Sequence, residues 1–489
     1  MTADFVMSGA IAAALLLPVV TAVTIVLTGR WENCRDGLGV CGAIVTFAIV
    51  CWITGNIGNV ETASLVLARP LPGFDLLLRL EPFGLLFALV ASGLWIVTGL
   101  YAIGYMRGHQ EKNQTRFFAC FAIAIAAAIG IAFSGNLVTL FTFYEILSLT
   151  TYPLVTHHGN AAAKRAGRLY LGTLFSTSIL FLLLAVIWTG LLAGTTDFRL
   201  GGILRGHADV ATMTILLGLF VFGTAKAAVM PFHRWLPSAM VAPTPVSALL
   251  HAVAVVKAGV FTILKVTIYI FGIDTLARFG IRDWLLPVAA FTVVVASVIA
   301  IGQENLKARL AYSTISQLGY IVLGALIAAP AAAVGAGMHI AMHAFAKITL
   351  FFCAGSIYVL AHKTEVSDLD GIARRMPLTM AAFTLASAGV IGLPLAGGMW
   401  SKWAMLSGAL DAGVPLYAGI YLLSSLLSIG YLGPIIARAY FRPLAGEDSS
   451  LEKGQWLLVG APLLTALGSL ILFFAAEPIY RFLIPVVGQ

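Results

Sequence analysis

Glu145, Lys226, Lys257, Lys347 and Lys402 sit inside long apolar stretches of the chain. A charge at bilayer depth costs roughly 2.5–3.5 kcal/mol even on insertion-based scales, so ionisable residues held there are functional by default. Three histidines accompany them. In PTPVSALLHAVAVVKAGVF, His251 and Lys257 lie six residues apart, with Ser247 one turn before the histidine. In MHIAMHAFAKITLFF, His339, His343 and Lys347 recur every four residues, which stacks them on a single helix face. Histidine titrates near neutrality and buried lysine is readily drawn into proton chemistry, so this ladder is a proton wire in outline. In LVTLFTFYEILSLTTYP, Glu145 needs a cationic partner, and Lys226 is the candidate. Lys265 lies closer to a helix end and reads as a snorkelling side chain.

The elements that must position these residues are membrane helices. Hydrophobic residues make up 60% of the chain, charged residues only 10%, and the mean hydropathy is +0.97. Soluble domains carry about 25% charged residues, so the composition is that of an integral membrane protein. A bilayer core of about 30 Å requires about 20 apolar residues per helix. On that rule fourteen spans are expected, at 5–28, 38–56, 82–106, 116–133, 136–156, 167–193, 210–230, 244–271, 284–302, 309–328, 333–360, 377–408, 415–437 and 456–476. The segment 231–243 is too polar and proline-rich to span and is expected to form a re-entrant or interfacial turn. The longest gap, 57–81, leaves no room for a soluble domain, so residues 1–489 form a single membrane domain. The +8 net charge is spread over short loops and does not indicate nucleic-acid binding. The five cysteines show no CxxC or Cys/His clustering, which argues against a disulfide framework, a metal or an iron–sulfur centre; no cofactor is expected.

Lysine and arginine divide unevenly between the two sides of these spans. Loops opposite the termini hold seventeen and loops on the terminal side seven, so the positive-inside rule puts both termini on the non-cytoplasmic side.

Two spans carry interruptions. The seventh reads GTAKAAVMPFHRWLP, with Lys226 five residues before Pro231. The twelfth reads ASAGVIGLPLAGGMWSKW, with Lys402 eight residues after Pro394. Such breaks persist in lipid only where protein or water satisfies the freed backbone. Five spans apart and reversed in order, they fit an inverted-topology repeat. It divides the chain into helices 1–3 (1–115), a repeat of helices 4–8 (116–271), a second of helices 9–13 (284–437), and helix 14 with the tail (456–489).

GTAKAAVMPFHRWLPSAMVAPTPVSALLHAVAVVKAGVF (223–261) resembles the signature of the proton-translocating antiporter-like subunits shared by respiratory complex I, membrane-bound hydrogenases and Mrp-type cation/proton antiporters. ENLKARLAYSTISQLGYIVLG (304–324) and HAFAKITLFFCAGSI (343–357) resemble that family's tenth- and eleventh-helix motifs. The resemblance covers nearly the whole chain. It implies a fourteen-helix all-α fold with inverted repeats and broken helices 7 and 12. By resemblance, Glu145 and Lys226 match the fifth-helix glutamate and seventh-helix lysine of a gating pair, Lys257 the eighth-helix lysine, Lys347 the eleventh-helix lysine and Lys402 the terminal residue. His251 and His343 match axis histidines, with His339 a looser carry-over.

The lysine terminus, the short tail and LDGIARRMP (369–377) look most like the D-type subunit of an Mrp-type Na+/H+ antiporter in a prokaryotic plasma membrane; a proton-pumping subunit of complex I or a hydrogenase-type complex is the alternative. Either way the chain is an ion-transport subunit, embedded in lipid beside other membrane subunits, that moves protons and, in the Mrp case, serves sodium exchange. A solute permease predicts a wide vestibule of aromatic and amide side chains, whereas the residues here form a line. A haem or quinone subunit would place paired histidines on facing helices, and His339 and His343 share one face.

Overall fold

The computed structural model describes residues 2–57, 63–69, 75–444 and 450–488. Residues 58–62 and 70–74 of the expected 57–81 loop lie outside the described residues. The fold is nearly all-helical, and among the described residues eleven helices are long and apolar enough to cross a membrane. In chain order the helices are α1 (Thr2–Leu27), α2 (Glu32–Asn56), α3 (Pro82–Gly108), α4 (Gln114–Ala132), α5 (Leu137–Val155) and α6 (Ala161–Ala193). There follow α7 (Val210–Gly223), α8 (Thr244–Phe271), α9 (Leu285–Ile301), α10 (Leu306–Ile327) and α11 (Pro330–Ala361). The rest are α12 (Pro377–Ile391), α13 (Gly398–Asp411), α14 (Pro415–Phe441), α15 (Trp456–Phe474) and α16 (Ala476–Leu483). The shorter apolar helices α7, α9 and α12 stand where the seventh, ninth and twelfth spans are expected.

Helix starts are written locally. The side chains of Asn136, Asn160, Asp209 and Asn305 each accept a hydrogen bond from a backbone N–H three residues on, which caps α5, α6, α7 and α10. The loop between α2 and α3 carries an antiparallel pair that the sequence pattern does not announce, β1 (Ser64–Ala68) with β2 (Leu76–Arg79). It caps the bundle end: Arg79 N donates to Phe133 O at 2.7 Å and Leu77 N to Thr139 Oγ1 at 2.8 Å.

The seventh span breaks earlier than the sequence expectation, whereas the twelfth breaks around Pro394, as expected. The seventh leaves the helix at Thr224, well before Pro231, so Lys226 lies inside the break, on the tight turn Ala225–Ala227. Side chains take up the freed backbone. Lys226 N donates to Tyr144 Oη at 3.2 Å, Trp235 Nε1 donates to Ala225 O at 2.9 Å, and Met230 N donates to Thr292 Oγ1 at 3.1 Å. That is the condition for irregular backbone at membrane depth. The expected re-entrant segment 231–243 holds a short helix, Trp235–Ser238, and Trp235 is fully buried in protein. The twelfth span is two pieces, α12 and α13, joined through 392–397, where Gly392 adopts φ +93°, a conformation open to glycine and strained for other residues.

The interior of the bundle is α8, α10 and α11. Every residue in the apolar core of α8 is buried, and α8 contains two widened, π-type turns at Leu249–Val253 and Val266–Phe271. Turns of this kind are frequent at functional sites. Lys257 and His251 ride on α8, His339, His343 and Lys347 on α11, Lys226 in the break of the seventh span, Lys402 on α13 just past the other break, and Glu145 on α5.

Candidate functional site

At one end of the site is Lys226. Its Nζ donates to Tyr144 O at 2.8 Å and to Ser148 Oγ at 2.6 Å, and lies 3.1 Å from the centre of the Tyr144 ring. A desolvated cation–π contact is worth about 2 kcal/mol, and a hydrogen bond to a charged group about 1.5–3 kcal/mol. Together these offset much of the several kcal/mol it costs to bury an ammonium. Tyr144 and Ser148 are four apart on α5 and share a face; Glu145 is turned about 100° away from it. The expected Glu145–Lys226 ion pair is therefore not closed in this structure. Both Glu145 carboxylate oxygens are buried and, among the described residues, have no hydrogen-bond partner.

The tight turn is pressed against α8 at Gly259, where a Cβ would collide with Ala227 N and the Lys226 carbonyl carbon. Gly259→Ala should therefore displace Lys226 from Ser148 and lower proton transport by about tenfold or more, the scale of losing one charge-assisted bond. Transport by the assembled complex, set against assembly on a native gel, checks this.

In the centre, Lys257 Nζ lies 2.6 Å from His343 Nδ1. The His343 and His339 rings stack at 5.6 Å, and His339 continues outward through Nδ1 to Ser401 Oγ at 2.8 Å and Nε2 to Gln317 Oε1 at 3.2 Å. The ladder His339, His343, Lys347 is one face of α11 in sequence, but its rungs part in space. Lys347 Nζ donates to Ser313 Oγ at 2.6 Å on α10 and does not join the histidine stack. His251 is buried against Phe351, ring centres 4.6 Å apart, with both ring nitrogens unpartnered among the described residues. No side-chain hydrogen bond among the described residues links Lys226 to Lys257 or His251 to its neighbours.

At the far end, Lys402 Nζ donates to Val390 O at 2.7 Å, Ile391 O at 3.2 Å and Ser425 Oγ at 3.1 Å. The carbonyls that the break strips of helical partners are thus met by a cation at the negative end of α12. The same Nζ lies 4.6 Å from the Tyr320 ring, which in turn stacks on His339 at 5.9 Å. Both broken spans therefore hold a lysine over a tyrosine face and against a serine. Lys402 is the one site lysine with a measurable exposed fraction, 7%; Lys226, Lys257 and Lys347 have none.

Sequence reasoning missed Tyr144, Ser313, Gln317, Tyr320, Ser401 and Ser425, and set Ser148 beside Glu145 rather than Lys226. A signal for some of them was present: Ser313, Gln317 and Tyr320 recur at four and three residues in ARLAYSTISQLGY, a polar stripe on an otherwise apolar helix. Lys265 also departs from expectation. It does not snorkel; it is buried, 2.5 Å from Glu81 Oε1 and 2.7 Å from Ser134 O, with Phe198 4.2 Å away. Glu81 lies far away in the sequence, immediately before α3, which is why the pair is invisible in the local pattern.

Chemically, the arrangement is a row of proton-carrying side chains. Unpartnered buried polar atoms (Glu145, Ser247, His251, Gln317 Nε2 and His343 Nε2) follow the same row. Each costs about 1–3 kcal/mol when buried without a partner, a penalty that structural sites avoid.

Residues 134–428 match the family model described as NADH:quinone oxidoreductase/Mrp antiporter, transmembrane. The chain is 35% identical over 345 residues to a probable K+/H+ antiporter A/B subunit of Rhizobium meliloti, covering 69% of this chain and 33% of that protein. It thus spans about a third of that relative's length. It is 32% identical over 428 residues to the NADH-quinone oxidoreductase N subunit of Desulforudis audaxviator, covering 84% of this chain and 83% of that one. Among solved structures, a chain of the membrane-bound sulfane sulfur reductase, an archaeal respiratory membrane complex, superposes with a TM-score of 0.85 at 22% identity, covering 98% and 96%. A chain of the Mrp complex from Dietzia sp. DQ12-45-1b superposes with a TM-score of 0.81 at 21% identity, covering 100% and 97%.

Proposed function

Since this chain belongs to the NADH:quinone oxidoreductase/Mrp antiporter transmembrane family, we propose that it is a proton-translocating membrane subunit whose path runs from Lys226 through Lys257, His343 and His339 to Lys402. The observation that carries this is the contact series Lys257–His343–His339–Ser401, which ends beside Lys402 at the break of the twelfth span. Glu145 and Lys226 act as the gate. When the carboxylate closes on Lys226 it favours the charged ammonium; when it swings away, as in the open arrangement here, the proton is released along the row. Two unit charges about 4 Å apart interact by roughly 4 kcal/mol at an effective dielectric of 20, enough to switch occupancy on one conformational event. Lys347 and His251 supply a side branch into the centre. The two lysine–tyrosine–serine sets at the breaks support the inverted-repeat reading.

The Mrp reading is preferred over complex I on the lysine at position 402 and the LDGIARRMP stretch; sodium exchange and the D-type assignment belong to that reading. The two solved chains superposed above are each part of a complex, which supports partners in the membrane. The purified chain alone in liposomes under an imposed sodium or proton gradient should show no coupled antiport, and the assembled complex should show it. Saturable, cation-coupled antiport by the isolated chain would overturn the reading of it as one part of a larger complex.

At the exit, Lys402→Ala should stop net transport, because the break carbonyls then have no titratable partner. Lys402→Glu should recover only part of it: the carboxylate can carry a proton, but faces Val390 and Ile391 carbonyls that repel its charged form. Proton uptake into vesicles measures both. Normal transport in Lys402→Ala would end the row elsewhere.

A further inference from the structure

A second titratable cluster lies outside the row, in the basic loops next to α3 and α5. Glu111 follows α3, and three histidines ring its carboxylate. His109 Nδ1 is 3.1 Å from Oε1, while His158 Nδ1 is 3.5 Å and His157 Nε2 3.8 Å from Oε2. The cluster bridges surface and interior: the side chains of His109 and His158 are about a third exposed, those of Glu111 and His157 almost enclosed. His158 also lines a cavity of about 200 Å³, together with Tyr105, Thr244, Lys307, Tyr358 and Lys363.

Thr244 forms part of the wall of that cavity. Thr244 is fully buried, and its Oγ1 has no partner among the described residues. Ser247 Oγ and both nitrogens of His251, three and seven residues further along α8, are buried and unpartnered in the same way. The His251 ring packs on Phe351, which lies one turn beyond Lys347 on α11. A line of orphaned donors and acceptors therefore runs inward from the cavity towards the centre of the row, and structural helices seldom leave such groups unmet.

We infer that Glu111, His109, His157 and His158 form a proton-collecting site at the mouth of an inlet running by Thr244, Ser247 and His251 to Lys347. The inference rests on the proton-transport reading above. The exposed imidazoles take a proton from water or a buffer acid, the conjugate base stays in solution, and the Glu111 carboxylate holds the proton at the mouth; no electrons move.

The surrounding charges shape the site without closing it. Arg116 Nη2 donates to His157 O at 3.1 Å, and Lys112, Lys307 and Lys363 stand around the rim. Tyr358 packs on the His109 ring at 5.1 Å, and Tyr105 lies on the same side. Burial pushes the His157 imidazole down from its ordinary range, opposed by Glu111 and reinforced by Arg116 and His158.

The test uses the assembled complex in proteoliposomes, with the pH varied on the side of the cluster. Glu111→Gln and the surface double variant His109→Gln with His158→Gln are compared with wild type. Where protons are scarce, at alkaline pH, both should slow transport by about tenfold, the lower end of the gain that a charged mouth gives an on-rate. In mildly acid solution both should approach the wild-type rate, and a small mobile buffer such as imidazole should restore the alkaline rate. A rate within about twofold of wild type at every pH would overturn the collecting role, since steering effects start near tenfold. A uniform loss at every pH without buffer rescue would overturn it too, in favour of a structural role. Lys257→Ala in the same vesicles separates the two levels: if it transports normally, the row itself fails and not merely the mouth.

Discussion

Lys226→Ala should bring proton transport by the assembled complex to background while the complex still forms. The loss should be at least about a hundredfold, the lower end of what a positioned proton-transfer group contributes. Assembly survives because Lys226 is not paired with Glu145 in this structure, so its loss costs that carboxylate no contact it now makes; Ser148 and Tyr144 are neutral and can turn to each other's backbone. Glu145→Ala should be equally inactive, for a different reason: Lys226 keeps its cradle but loses the charge that opens and closes it. Glu145→Asp retains the charge, shortens the reach by one methylene, and should fall between wild type and Glu145→Ala. Ser148→Ala removes one charge-assisted bond and should cost about tenfold. Sodium tolerance of cells and proton uptake in vesicles, each with a blot for assembly, measure the series. Wild-type transport in Lys226→Ala would remove the gate from the mechanism.

Lys257→Arg should be as inactive as Lys257→Ala. Arginine keeps the positive charge at the centre of the row, but its guanidinium does not give up a proton under these conditions. Lys257 Nζ is 2.6 Å from His343 Nδ1, and proton transfer across that contact requires a donor that can become neutral. If Lys257 served only as a fixed charge, the arginine would work. His343→Gln should be similarly damaging, since the amide can hydrogen-bond but cannot carry the proton to His339. Proton flux in proteoliposomes separates these outcomes, and the arginine variant is the informative one.

The fold was legible because lipid imposes a length and a composition on each helix. The apolar runs gave the order of spans, and the lone charges within them gave the site. What escaped was three-dimensional phase. The sequence names Glu145 as the partner of Lys226, yet the face presented to Lys226 is set by Tyr144 and Ser148, one helical position away. The break of the seventh span was tied to Pro231, but the helix ends at Thr224, because Tyr144 and Trp235 capture the backbone there. His339, His343 and Lys347 share a stripe, yet His343 meets Lys257 on α8 while Lys347 turns to Ser313 on α10. The Lys265–Glu81 pair joins residues far apart in the chain, and β1 with β2 is too short to register against the apolar background.

The central claim is a single row in which Lys226, Lys257 and Lys402 act in series. Internal pH of proteoliposomes carrying the assembled complex, after an imposed cation gradient, tests it in one experiment on the three single alanine variants and the triple. Steps in series are grossly non-additive, so each single variant should fall to the same floor and the triple should be no lower. Single variants that keep substantial flux, with losses that multiply in the triple, would mean parallel routes and would contradict the account.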